Sequence, residues 1–177
     1  MTGKQLTKGE RAAKREAHWA ALREHYLNVE LPKLKARVRA EVERRGLASF
    51  MNRTRWEALC KAVDEELPFP PSFQRQDVLG QREPPDDISQ MEGYFGGWSG
   101  EDIEPLVSIE WLRVVPRYRK HVAMLLPDEV VDCSDAFRDL LVQQGVPFHE
   151  DEARTFWIYG YAPADPATLT SPFESPT

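Results

Sequence analysis

The sequence predicts an α+β fold, a basic N-terminal helical hairpin or arm followed by a small antiparallel sheet packed against two helices, and three observations predict it. Apolar residues recur at three- and four-residue steps in the first 67 residues and again around Phe137 to Leu141, the period of helices with one buried face. β-Branched and aromatic residues gather in two short runs, Val107 to Val115 and Thr155 to Tyr161, the composition of strands. From Pro68 to Pro105 the chain carries Pro68, Pro70, Pro71, Pro84, Pro85 and Pro105 with Gly80, Gly93, Gly96, Gly97 and Gly100, which leaves no room for long regular elements.

Thr7 and Glu10 have the spacing of a capping box, so a helix starts there and runs to about Asn28 with Trp19, Leu22, Tyr26 and Val29 as a narrow stripe. Pro32 suits the first turn of a second helix, where its missing amide donor costs nothing, and Leu31, Leu34, Val38 and Val42 make its stripe; Gly46 stops it. A third helix opens at Asn52 or Thr54, with Thr54 and Glu57 again at capping-box spacing. It buries Trp56, Leu59, Cys60, Val63 and Leu67, and Pro68 ends it.

In the long connection, Gln74 to Gln90 is polar and expected to be a mobile loop, whereas Met91 to Trp98 has aromatics that should anchor on the core with a short strand. Val107 to Val115 reads as a half-buried strand, Val122 to Leu126 as its hairpin partner, and Arg117 to Lys120 as the turn between them. Asp132 or Ser134 caps a helix through Gln144 that buries Phe137, Leu140 and Leu141 and stops at Gly145. Glu150 to Glu152 is a turn into Thr155 to Tyr161, the strongest strand, and the Pro-, Ser- and Thr-rich tail past Pro163 is expected to fray. The resulting division is a basic helical segment 1–48, an α+β domain 49–162 and a flexible tail 163–177, with Trp56, Leu59, Val63, Trp111, Leu140, Trp157 and Tyr159 as the core.

With 177 residues, 41% hydrophobic and 29% charged, the chain is sized for one ordered domain. No apolar run of signal-peptide or membrane-span length exists, so a cytoplasmic protein with no membrane partner is expected. Cys60 and Cys133 are far apart and outside any CxxC spacing, which fits inert, buried thiols in a reducing compartment. The net charge of −6 hides a division. Residues 1–48 hold 12 Lys/Arg against 6 Asp/Glu and the remainder 11 against 23, so a +6 segment precedes a −12 body.

Catalytic and metal-binding signatures are sparse. His18 and His25 share a helix face without a third ligand, so no metal and no cofactor is expected. The one neighbourhood that suggests a nucleophile, Asp132-Cys133-Ser134-Asp135 with His121 or His149, is also what a helix cap looks like. Glu101, Asp102, Glu104 and Glu110 supply the paired carboxylates of a small hydrolase or transferase, one alternative reading. The basic N-terminal helices supply another, a nucleic-acid-associated regulator, although interleaved glutamates and the acidic body oppose it. Those same helices offer Trp19, Leu22, Leu34 and Val38 for self-association. The reading that uses most of the sequence is an acidic, aromatic surface for a basic protein partner, built from Glu92, Tyr94, Phe95, Trp98, Glu101, Asp102 and Glu104.

Asn52-Arg-Thr-Arg-Trp56 opening a helix, Ile109-Glu-Trp-Leu112 on a strand and Trp157-Ile-Tyr-Gly-Tyr161 near the end resemble a bacterial domain family of unknown function of the toxin-immunity type, over Ser49 to Ala162. The resemblance implies a small, acidic, intracellular, non-enzymatic inhibitor that binds a cationic toxin. Its motifs are core aromatics, so they speak to fold more than to activity.

Overall fold

The computed structural model describes residues 7–80, 87–124 and 126–164. An uninterrupted helical run opens it. Thr7 and Glu10 close the expected capping box, Glu10 N–H donating to Thr7 Oγ1 at 3.2 Å and Thr7 N–H to Glu10 Oε2 at 2.6 Å, and α1 follows over Lys8–His25. A π-helical turn, Tyr26–Glu30, leads into α2, Leu31–Arg45, with helical dihedrals at both junctions. The chain is therefore an arm and not a hairpin. Pro32 has no amide to offer the Asn28 carbonyl and its ring crowds that carbonyl; the wide turn just before it, in which Leu31 N–H reaches back to Tyr26 O, takes up the strain. Gly46, at φ 64°, ends α2 in the left-handed region that favours glycine.

A two-residue strand β1, Ala48–Ser49, precedes α3, Arg53–Glu66, which is capped by Asn52 Oδ1 accepting from Arg55 N–H at 2.9 Å, so Asn52 and not Thr54 sets its start. β2, Ser72–Asp77, comes next, then a single turn α4, Ile88–Met91. Two 3₁₀ turns, Gly100–Asp102 and Leu106–Ser108, lead into β3, Ile109–Val115. The rest is β4, Arg117–Lys120; β5, Glu129–Asp132; α5, Ser134–Gln143; β6, Phe148–Glu150; β7, Phe156–Tyr159; and β8, Tyr161–Ala162.

The main sheet is antiparallel in the order β2-β3-β7-β6, and β1-β8 and β4-β5 form two small ribbons. Four expectations change here. Ser72–Asp77 is an edge strand on β3 although its residues from Gln74 on were expected within the polar loop Gln74 to Gln90, because Arg75 is buried with its guanidinium donating to the carbonyls of Ile103, Glu104 and Pro105. That satisfaction lets a polar segment pair; residues 81–86 of the same expected loop lie outside the described residues. The Met91 to Trp98 stretch contributes the end of α4 and no strand. Pro116 ends β3, and Arg117–Lys120, expected as a turn, is itself the strand that pairs with β5, while the segment holding Val122, Met124 and Leu126 connects them. Glu150, expected in a turn, ends β6. The tail beyond residue 164 lies outside the described residues.

Alternation along β3 and β7 sends side chains to two covered faces. Leu112, Val114, Phe156 and Ile158 meet Trp56, Leu59 and Val63 of α3 and Phe137, Leu140 and Leu141 of α5 on one side; Trp111, Trp157, Tyr159 and Ala162 cluster on the other with Phe50. All seven residues expected in the core are buried. Gly160 breaks the last strand for a reason of space: a Cβ there would lie 2.1 Å from the Ile109 carbonyl oxygen. α2 packs on the Leu106–Ser108 turn, burying Leu31 and Val38. Among the described residues no helix is long and apolar enough to cross a membrane.

Candidate functional site

The loop that the sequence nominates begins under β4. Ser72 Oγ donates to the Met91 carbonyl at 2.6 Å and Arg119 N–H to the Glu92 carbonyl at 2.8 Å, which fixes the loop's entry against β2 and β4. Glu92 is buried and receives Arg117 Nε at 2.7 Å and Arg119 Nε at 2.6 Å. Burial works against its charge, but the two guanidiniums prevail and hold its carboxyl below the usual range. Glu92 is thus a clasp between loop and ribbon.

The glycines that follow let the chain press inward. A Cβ on Gly96 would come within 2.2 Å of the Pro71 carbonyl oxygen, and one on Gly97 within 2.5 Å of Asp102 Cβ. Trp98 is driven into the core, its Nε1–H donating to Pro71 O at 2.7 Å and its ring edge-on to Phe73 at 5.1 Å and Phe137 at 6.2 Å. Tyr94 and Phe95 stay outside, 42% and 53% exposed. Phe95 lies 4.9 Å from Tyr118 and 5.8 Å from Phe69, which are themselves 4.7 Å apart edge-on, so three rings brace one another at the surface. Tyr118 belongs to the β4-β5 ribbon, which also exposes Val122, Met124, Leu126 and Val130.

The seven nominated residues consequently do not form one surface. Phe95 joins Phe69 and Tyr118; Tyr94 is exposed; Glu92 and Trp98 are buried; Asp102 is exposed farther along; and Glu104 turns toward α3, taking Arg53 Nη2 at 2.9 Å and Leu106 N–H at 3.0 Å. The side chain of Glu101 lies outside what is described. Phe69 and Tyr118 were missed because nothing local marks them; only the pairing of β4 with β5 brings Tyr118 to Phe95.

A second feature is an open groove of about 1010 Å³ between the arm and the body. Trp19, Leu22, Tyr26 and Leu27 line the arm side, and Cys60, Ile103 and Leu106 the floor, with Glu57, Asp64, Glu65 and Glu104 along the rim beside Arg53 and Lys61. A third is a polar row across the buried sheet, Gln74, Arg113, Trp157 and His149, in which each is the cross-strand neighbour of the next and Arg113 lies 5.3 Å over the Trp157 ring.

The residues considered for chemistry are otherwise occupied. Burial, with Asp64 beside Cys60 and Asp132 beside Cys133, pushes both thiols up to about 12, which leaves them protonated at neutral pH. Cys133 occupies the N-cap position of α5, in place of the expected Asp132 or Ser134, and Asp132 Oδ1 accepts from Ser134 N–H at 2.7 Å; His121 faces Asp128 at 3.1 Å on the surface. Glu110 is held by both arms of Arg45. Among the described residues no group of three His, Cys, Asp or Glu could hold a metal ion.

Residues 38–165, more than two thirds of the chain, match the model of a family described as a family of unknown function (DUF6678). The match takes in the second half of α2, so it includes Val38 and Arg45 of the arm but not Leu31. No curated protein and no solved structure matches the chain.

Proposed function

The chain belongs to this family of unknown function, and on that premise we propose that it is a non-enzymatic binding protein, an immunity-type inhibitor whose partner is a cationic toxin. One observation carries the reading: Phe95 and Tyr94 are held out to solvent on a loop whose other anchors, Glu92 and Trp98, are locked into the body. Aromatic side chains fixed in advance lose little freedom on binding, which is how a few residues come to supply most of an interface's energy. The connection between β4 and β5 exposes further apolar side chains, Val122, Met124 and Leu126, whereas Val130, paired with Arg119, lies on the other face of the ribbon from Tyr118.

Charge supports the nature of the partner. Next to the rings Arg117 and Arg119 share Glu92, so the local balance is modest and the attraction comes from the body as a whole, −12 from residue 49 onward. A field of that sign concentrates basic partners and raises their association rate, while the rings set the dissociation rate.

The test is capture with the full chain as bait, followed by Tyr94→Ala with Phe95→Ala. The captured protein should be basic, bind faster at low salt, and lose about 2 kcal/mol or more of affinity to the double substitution, mostly as faster dissociation. An acidic partner, or one indifferent to both substitutions, would overturn the proposal.

A further inference from the structure

α1 is a helix without cover. It contributes no buried residue, yet Trp19 is 68% exposed and stands in line with Leu22 and Tyr26. The π turn takes in one extra residue, so this stripe meets Leu31 on the same groove even though the 26-to-31 step is five residues. Most helical stability comes from packing of an amphipathic face, so a helix with an uncovered apolar stripe has most to gain from a partner.

We infer that the groove between the arm and α3 is filled by α1 of a second copy, each chain lending its arm to the other in a closed twofold dimer. Size is the first argument. A helix ~10 Å across occupies roughly 400 Å³ per turn, so about 1010 Å³ accommodates the two turns from Trp19 to Tyr26. Charge is the second. The floor is Cys60, Ile103 and Leu106, and the body's rim sets Glu57, Asp64, Glu65 and Glu104 against Arg53, paired to Glu57 and Glu104, and Lys61, beside Glu65, so it favours an occupant that is apolar on one side and net basic on the other. α1 has that character, with Lys8, Arg11, Lys14, Arg15 and Arg23 outnumbering Glu10, Glu16 and Glu24 around its stripe.

Reach is the third argument. From Lys8 to Arg45 the helical run is roughly 57 Å long, nearly twice the diameter of a small domain. A chain's own α1 is a wall of its groove and cannot also be the filling. A twofold axis resolves this, since the patch that fills and the patch that is filled are both present on each chain. The proposal uses a surface separate from the Phe95 patch and does not rest on the binding function proposed for it.

Sedimentation equilibrium of the full chain should give twice the monomer mass, with dissociation promoted by salt. Trp19→Glu with Leu22→Glu should give a monomer whose thermal transition matches that of diluted, dissociated wild type, since neither side chain is buried in the chain itself. Asp64→Lys with Glu65→Lys should weaken the dimer by an order of magnitude, as should Lys14→Glu with Arg15→Glu. Mixing the last two variants should then make both grooves complementary, one with swapped and one with native charges, and recover a heterodimer. A monomeric wild type, a dimer unaffected by the Trp19 and Leu22 changes, or two charge variants that fail to recover each other would overturn it.

Discussion

Arg45 and Glu110 grip each other at two points, Nη1 to Oε2 at 2.7 Å and Nη2 to Oε1 at 2.6 Å, joining the last turn of α2 to the central strand. Both side chains are mostly shielded, so the pair is worth more than an exposed one, and Arg45 is kept above its ordinary pKa chiefly by this hydrogen bonding. Glu110→Ala should lower unfolding stability by about 1–2 kcal/mol in urea titration. An unchanged midpoint would mean that Leu31 and Val38 alone hold the arm.

The arm should divide at the π turn when shortened from its N-terminus. Removing everything before Leu31 takes away no buried side chain among the described residues, so cooperative unfolding of the monomeric body should persist at an unaltered temperature. Removing everything up to Leu47 also strips Leu31, Val38 and Arg45, and should cost roughly 4–6 kcal/mol or abolish the transition. Equal stabilities for the two truncations would show that α2 merely leans on the body.

Two substitutions probe the same packing from opposite directions. Trp56 is almost wholly buried beside Gly160, and Trp56→Ala should cost about 3–5 kcal/mol through the cavity it leaves. Gly160→Ala adds one methyl against the Ile109 carbonyl and should cost about 3 kcal/mol through strain, displacing the residue-160 carbonyl that accepts from the Phe50 and Met51 amides. Calorimetry on both variants checks the pair, and a neutral Gly160→Ala would mean that β7 and β8 shift freely.

Acid should loosen the clasp beneath Phe95. The carboxyl of Glu92 is depressed in the folded chain, so its stabilisation is complete above the ordinary value of 4.5 and is lost as pH falls through the lower folded value. Glu92→Gln should cost about 2–3 kcal/mol at neutral pH and flatten the acid limb of the stability curve. If that limb is as steep in the variant as in the wild type, other carboxylates govern acid unfolding.

How much of this was legible depended on whether the cause was local. The caps at Thr7 and Asn52, the stop at Gly46 and the stripe of α3 are set by neighbours in sequence and stand where the residues place them. Gln74, Arg75 and Gln76 could not be read as a strand, because their pairing depends on Leu112 and Arg113 and on carbonyls about 30 residues away. Of the candidate site, the exposure of Tyr94 and Phe95 agrees with a surface role, whereas the burial of Trp98 and the double pairing of Glu92 follow from Pro71, Arg117 and Arg119, which no pattern within the loop announces.

The wide turn at Tyr26–Glu30 also sets which changes of length the arm can inherit. A helix that already stores one surplus residue can surrender it: loss of Asn28 would close the turn to ordinary α geometry and leave Trp19 and Val38 in line, with Pro32 the remaining obstacle. Gain of a second residue has no such store to enter. It would rotate everything upstream by about 100° and carry the tryptophan away from the groove. Natural variation at this joint should therefore run toward shortening, and each lengthening should be met by a compensating loss nearby.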